Sequence, residues 1–313
     1  MDVLVPRRLR KGDLIGIISP ASPVHDPSRI EHGVRYLEGL GYRTRVGKNA
    51  LQRKGYLAGT DEERTEDVHA MFADRNVKAI FCARGGYGTS RILSRINYRL
   101  VARNPKILVG YSDITALAMA LWKKCRLVTF HGPMVAADTT PDADPVAEES
   151  LWRMLTSPGR GAVLAQADPL PPQVRFPGSA RGRLLGGNLS LLVSLLGTPY
   201  MPDFRSGLLF LEEIGEEPYR VDRMLTQLEN AGIFSRVRGV AMGQFSDCAP
   251  RSNATPSLTL GEIMADATRG ASKPFLSGFP IGHEKRTMTV PVGVRASLDA
   301  DRGVLTLLEN ATS

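Results

Sequence analysis

Lys106-Ile-Leu-Val-Gly-Tyr-Ser112-Asp-Ile-Thr-Ala-Leu117 changes character twice. An apolar run gives way to a glycine, an aromatic and a serine, and an apolar helix-forming run starts at once. The pattern predicts a strand, a sharp turn and a helix, with Ser112 at the corner. A serine there projects from the carboxyl end of a strand, beside backbone N–H groups left free at the helix N-terminus. Both features suit a nucleophile. Serine is equally a favoured helix N-cap, so this stretch by itself leaves two readings open.

Similar units lie on either side. Upstream, Leu14 to Ser19 reads as a strand, Ser28 to Leu40 as a helix with Ile30, Val34, Leu37 and Leu40 on one face, and Arg43 to Val46 as a second strand. Thr60-Asp-Glu-Glu63 is a capping box that opens a helix through Val68, Met71 and Phe72. Lys78 to Ala83 is a strand running into Arg84-Gly-Gly-Tyr-Gly88, followed by a helix from Thr89 that Asn97 interrupts. Downstream, Leu127 to Phe130 is a strand entering His131-Gly-Pro, and Pro145 to Leu155 is a helix. Strands alternating with helices predict an α/β protein built on a parallel sheet.

Ser157 to Ser179 carries Pro158, Pro169, Pro171, Pro172 and Pro177. The expected organisation is therefore a domain over 1–156, a linker over 157–180 and a second domain over 181–313. The second half offers Arg183 to Asn188, a short helix from Leu189 to Leu196, a strand from Gly207 to Glu213, and a helix opened by Pro218. A strand over Val237 to Met242 and a helix over Leu258 to Thr268 follow. The loop Gly278 to Thr287 joins strands near 275 and 290, and a hairpin turns at Asp299 to Gly303.

With 313 residues, 42% hydrophobic and 23% charged, the chain reads as a globular protein. No apolar run reaches the roughly 18 residues that span a bilayer, and no apolar segment follows the basic N-terminus as a secretory signal requires. Cys82, Cys125 and Cys248 are far apart and odd in number, so buried free thiols in a cytoplasmic protein are expected. The net charge of +8 raises the question of nucleic acid. Arg91, Arg95, Arg99 and Arg103 have helical spacing and form a basic stripe if their helix is continuous. No zinc-finger spacing, aromatic RNA-binding motif or basic tail accompanies them. The charge is read as surface charge that favours a small anionic substrate, with neither nucleic acid nor membrane as partner.

Acyl transfer by serine needs a base, a carboxylate to orient it, and N–H donors for the oxyanion. His25, His32 and His69 sit in a polar loop or within helices. His131 and His283 each occupy a Gly/Pro-bracketed loop, and position along the chain does not choose between them. Glu212 and Glu213 end an apolar strand, whose alternation points the two carboxylates to opposite faces. The Arg84-Gly-Gly-Tyr-Gly88 loop offers free N–H groups for an anion or oxyanion. It fits neither a dinucleotide fingerprint nor a P-loop. No metal-ligand spacing is present, so neither metal nor cofactor is expected.

Six motifs then fall in one order: Ala83-Arg-Gly-Gly-Tyr-Gly88, Pro105 to Leu117, His131-Gly-Pro-Met134, Gly186-Gly-Asn-Leu189, Leu211-Glu-Glu-Ile-Gly-Glu-Glu-Pro-Tyr-Arg220 and Gly282-His283. In this the chain resembles the LD-carboxypeptidases, a serine peptidase family that also contains the microcin C immunity peptidases. The resemblance runs from about residue 12 to about residue 308. It implies two domains, an N-terminal Rossmann-like parallel sheet and a C-terminal β-rich α/β domain. It implies a triad of Ser112, Glu212 and His283, with oxyanion donors from the backbone of Gly86 (Gly85 as the close alternative) and Asp113. His131 matches a motif of the family outside the triad.

The resemblance further implies a small peptide substrate and a cytoplasmic homodimer. Two activities are compatible with it. One releases the terminal D-alanine of a murein tetrapeptide in cell-wall recycling. The other cleaves a peptidyl or aminoacyl nucleotide, in relatives that stack the base on an aromatic. Arg181 to Leu192 holds no aromatic, while Tyr87, Tyr111 and Tyr219 keep the second activity open. A binding protein on the same fold, without catalysis, is the third reading.

Overall fold

Leu14-Ile-Gly-Ile-Ile18 is buried at every position, as a strand must be when helices cover both faces of its sheet. It is the first strand of a computed structural model that describes residues 2–139, 143–157, 159–167, 175–251, 256–267 and 273–313. The first half runs β1 (Leu14–Ile18), α1 (Ser28–Gly39), β2 (Arg43–Val46), α2 (Asp61–Ala73), β3 (Val77–Cys82), α3 (Thr89–Ile92), α4 (Tyr98–Arg103), β4 (Ile107–Val109), α5 (Ile114–Cys125), β5 (Thr129–His131), α6 (Val135–Asp138) and α7 (Pro145–Thr156). The expected capping box is formed: Glu63 N–H donates to Thr60 Oγ1 at 3.1 Å and Thr60 N–H to the Glu63 carboxylate at 2.7 Å.

The five parallel strands lie in the order β2-β1-β3-β4-β5. Strand order reverses between β1 and β3, and at such a reversal the loops leaving the carboxyl ends of the strands part to form a crevice. The loops after β1, β3, β4 and β5 therefore share one edge of the sheet. They contain Pro20 to Pro27, Arg84 to Gly88, Gly110 to Ser112, and the residues after His131.

The arginine series forms no single stripe. α3 ends at Ile92, and α4 begins afresh at Tyr98, where Asn97 Oδ1 caps Leu100 N–H at 3.0 Å. Arg91 and Arg95 are ion-paired to Asp61 and Glu62 at 2.9 and 2.8 Å.

The second half comprises β6 (Val163–Gln166), β7 (Arg175–Phe176), β8 (Ser179–Asn188), α8 (Leu189–Ser194), β9 (Leu208–Ile214), α9 (Pro218–Asn230), α10 (Ile233–Arg236), β10 (Gly239–Ser246), α11 (Leu260–Ala267), β11 (Phe275–Leu276), β12 (Val290–Val292), β13 (Arg295–Asp299) and β14 (Val304–Leu307). All but β12 form a mixed sheet in the order β6-β14-β13-β8-β9-β10-β11-β7. Its centre, β8 to β11, is parallel and its flanks are antiparallel. The expected closing hairpin is β13–β14. Among the described residues no helix is long and apolar enough to cross a membrane, and all three cysteines are buried and free.

Two departures from the expected organisation concern its boundaries. Residues 157–180 carry both edge strands of the second sheet, β6 and β7, and the start of β8. Edge strands this short take their structure from the partner they pair with, so the local composition does not announce them. Pro158, Pro169, Pro171 and Pro172, which suggested a linker, lie outside the described residues, as does Thr268. Second, β12 leaves the second half and joins the first sheet, antiparallel to β5, with Val290 opposite His131.

The halves also meet at α5, where every residue from Ile114 to Trp122 is buried. The end of β8 docks on its first turn. Asn188 N–H donates to Thr115 Oγ1 at 3.1 Å, and a Cβ on Gly187 would stand 2.6 Å from that oxygen. Only glycine permits this approach, and it sets the second sheet beside Ser112.

Candidate active site

Ser112 sits between β4 and α5 with φ of +60°, in the left-handed region that a serine seldom adopts. The residue is one of those lining a cavity at this edge of the sheet. Asp113 occupies the N-cap position of α5, and no side chain caps this helix. The cap reading of Ser112 therefore fails, because the hydroxyl takes no part in holding the helix. Asp113 is itself locked: its Oδ2 accepts Thr89 N–H at 2.8 Å and its carbonyl accepts the Thr89 hydroxyl at 2.5 Å. Burial raises the pKa of its carboxyl, against the hydrogen bonds from Thr89.

The glycine loop after β3 lies against this corner. A Cβ on Gly85 would fall 2.8 Å from Ser112 Cβ and 3.4 Å from Asp113 N, so the absent side chain is what lets the loop close on the serine. Gly86 turns with φ of +108°. Neither Gly86 N–H nor Asp113 N–H donates to an acceptor among the described residues.

Glu212 and Glu213 end β9 and point apart, as alternation requires. Glu213 is consumed by structure. Its carboxylate accepts Asn188 Nδ2, Ser190 N–H and Ile214 N–H at 2.8, 2.8 and 2.9 Å. Glu212 is fully buried and its Oε2 meets His283 Nδ1 at 2.7 Å. A buried carboxylate needs such a partner to remain charged. The His283 loop is fixed from β10, where Gln244 accepts Glu284 N–H at 3.2 Å and donates to Arg286 O at 2.9 Å. Tyr111 packs its ring edge-on to His283 at 4.8 Å and donates its hydroxyl to Asp138 at 3.1 Å. The pKa of His283 is raised: burial opposes protonation, but the hydrogen bond and charge of Glu212, then the charges of Glu213 and Asp138, outweigh it.

Ser112, Gly85, Gly86 and His283 line one cavity of about 390 Å³. Among the described residues none hydrogen-bonds to Ser112 Oγ, and such contacts tighten when substrate is bound. Four loops from the first half and one from the second thus deliver, to one place, a strained serine, free N–H donors and a histidine backed by a carboxylate. These are the kinds of group that a serine triad with an oxyanion hole requires.

The model of the LD-carboxypeptidase N-terminal domain matches residues 15–132, and that of the LD-carboxypeptidase C-terminal domain matches residues 181–298. The chain belongs to the LD-carboxypeptidase family. Among its relatives, the protein named "Probable murein peptide carboxypeptidase" of Bacillus subtilis is 43% identical, over 94% of this chain and 91% of that one. The crystal structure of muramoyltetrapeptide carboxypeptidase from Oxalobacter formigenes is similar, with a TM-score of 0.83 and 33% identity, over 94% of this chain and 97% of that one. So is MccF, a microcin C7 self-immunity protein, in complex with glutamyl sulfamoyl guanosine, with a TM-score of 0.90 and 26% identity over 99% and 100% of the two chains.

In this family member Ser112, Gly85, Gly86 and His283 line one cavity with Glu212 behind His283, and His131 stands beside Glu212. Its Nε2 is 4.0 Å from Glu212 Oε1, and both atoms are buried with no hydrogen-bond partner among the described residues. Burial, with the neighbouring His283, pushes its pKa down to about 4, against the charge of Glu212. Tyr111 is buried between His283 and Asp138, which withdraws it as a stacking surface for a base, and Tyr219 lines a different cavity. Sequence reasoning missed Asp138. It acts from the end of a four-residue helix, where its chemistry leaves no pattern.

Proposed function

We propose that this LD-carboxypeptidase is a serine hydrolase that cuts an L,D-peptide bond and releases the terminal D-alanine of a murein tetrapeptide. The observation that carries the reading is the 2.7 Å contact of Glu212 with the Nδ1 face of His283, in a ring that shares a cavity with Ser112. With Nδ1–H held by Glu212, the free ring nitrogen is the basic one. His283 takes the Ser112 proton as Oγ attacks the carbonyl carbon. The N–H groups of Gly86 and Asp113 receive the developing oxyanion. The imidazolium, stabilised by Glu212, then protonates the departing amine, and water releases the acyl group by the reverse sequence of proton transfers.

The relatives named for murein peptides and muramoyltetrapeptide support the substrate class. One observation favours a second reading. Tyr87, beside the oxyanion loop, is exposed and meets exposed Tyr56 edge-on at 5.7 Å. This is an aromatic surface on which the base of a peptidyl nucleotide can stack, and MccF binds glutamyl sulfamoyl guanosine.

The test is hydrolysis of L-Ala-γ-D-Glu-meso-diaminopimelyl-D-Ala by wild type and Ser112→Ala. D-alanine release by wild type, reduced about 10⁴-fold or more by the substitution, is expected. Equal rates in the two proteins would remove Ser112 as nucleophile. Turnover of an aminoacyl adenylate analogue but not of the tetrapeptide would favour the second reading, and turnover of neither would leave a binding protein.

A further inference from the structure

The cavity that holds Ser112, Gly86 and His283 also receives two guanidinium groups, those of Arg29 and Arg84. They reach it from different elements. Arg84 lies just after β3 and opens the glycine loop, and its Nη2 lies 3.7 Å from the position a Cβ on Gly86 would take. Arg29 comes from the first turn of α1, on the opposite lip of the strand-order reversal. Among the described residues each guanidinium hydrogen-bonds to backbone, Arg84 Nη1 to Pro23 O at 3.3 Å and Arg29 Nη2 to Ala137 O at 3.4 Å. Neither forms an ion pair with a carboxylate of the described residues, whereas Arg64, Arg91 and Arg95 nearby are all paired with acids.

The acids that face this cavity are Asp26 and Asp138, and Glu212 stands behind His283. An anionic ligand entering unaided would be repelled. The chemistry of the bond cut makes such a ligand necessary. In a terminal residue the free carboxylate is two bonds from the scissile nitrogen. Once the carbonyl carbon is at Ser112 and the nitrogen faces His283, that carboxylate has to fall inside the same cavity. Arginine is the side chain whose planar fork matches a carboxylate bidentately.

We propose that Arg84, assisted by Arg29, forms the subsite for the free α-carboxylate of the departing residue. On the hydrolase reading above, this subsite is what confines cleavage to the chain end. A peptide continuing past the scissile bond places a neutral amide there, leaving the guanidinium desolvated without its partner.

The experiment compares the tetrapeptide acid with its C-terminal carboxamide, read first as calorimetric binding to the Ser112→Ala protein. The acid is expected to bind about 30-fold more tightly, the effect of losing one well-placed charged partner. Adding Arg84→Met should collapse the preference towards unity. Arg84→Lys, which keeps the charge and loses the fork, should fall between. Arg29→Gln, at an exposed position, should reduce the preference about threefold to tenfold and serves if Arg84→Met does not fold. Equal binding of acid and carboxamide to the Ser112→Ala protein, or a preference that survives Arg84→Met, overturns the subsite. Turnover separates the two proposals. A binding preference with no hydrolysis by wild type sinks the peptidase and leaves the carboxylate subsite standing.

Discussion

His131 at the end of β5 and His283 in the loop between β11 and β12 flank the same carboxylate from opposite sheets, yet they are driven in opposite directions. His283 is 2.7 Å from Glu212, reaches the cavity and holds its proton more tightly than an ordinary imidazole. His131 is 4.0 Å from Glu212, is sealed between Tyr111 and Phe210, and is pushed down to about 4. Both have Gly/Pro-rich sequence beside them, and both see the same charge. What separates them is a hydrogen bond and access to the cavity. A carboxylate makes a base of the imidazole it touches, whereas burial keeps its unbonded neighbour neutral.

The strongest way to break this contrast is to truncate each ring. His283→Ala should lower kcat/KM for the tetrapeptide about 10⁴-fold or more, and comparable loss in His131→Phe would erase the distinction. Next in size is Glu212→Gln, with an expected loss of about 10³- to 10⁴-fold. The pH profile sharpens the reading. In the proposed mechanism His283 works as the neutral base, and its raised pKa keeps it protonated to higher pH. The acid limb of kcat/KM in wild type should therefore lie above the ordinary imidazole value of about 6.5. Glu212→Gln removes the charge that raises it and should move the limb down, burial then prevailing. A limb that stays in place would show that Glu212 does not set the base. The smallest effect belongs to His131→Phe, about a tenfold fall in kcat with KM unchanged, from a Glu212 oxygen left facing an apolar ring. His131→Gln, which returns an N–H donor, should recover part of it. KM rising instead of kcat falling would place His131 in binding.

The sequence was most legible where structure is local. The corner at Ser112 is a strand–turn–helix, and each of its parts leaves a composition signature over a few residues. The opposed carboxylates followed from alternation alone. Local pattern did not choose between His131 and His283, and only the resemblance pointed to His283; what separates them physically is the distance from each ring to Glu212, which no short window encodes. Arg29 and Arg84 were equally opaque. They are 55 residues apart, and they meet because strand order reverses between β1 and β3. The edge strands in 157–180 were hidden by proline-rich composition, since an edge strand borrows its form from the strand it joins.

The return of β12 to the first sheet has a mechanical consequence. The segment carrying His283 is held at one end by β11 in the second sheet and at the other by β12 in the first. It is a strap across the crevice, tied to both walls. The walls cannot part widely without unzipping Val290 from His131 or stretching the strap that presents the base. Cutting the chain after α7 would also strip β5 of its neighbour and expose a raw sheet edge, an invitation to aggregation. The two halves should accordingly melt together, in one cooperative transition, with loss of the base and loss of the fold as a single event.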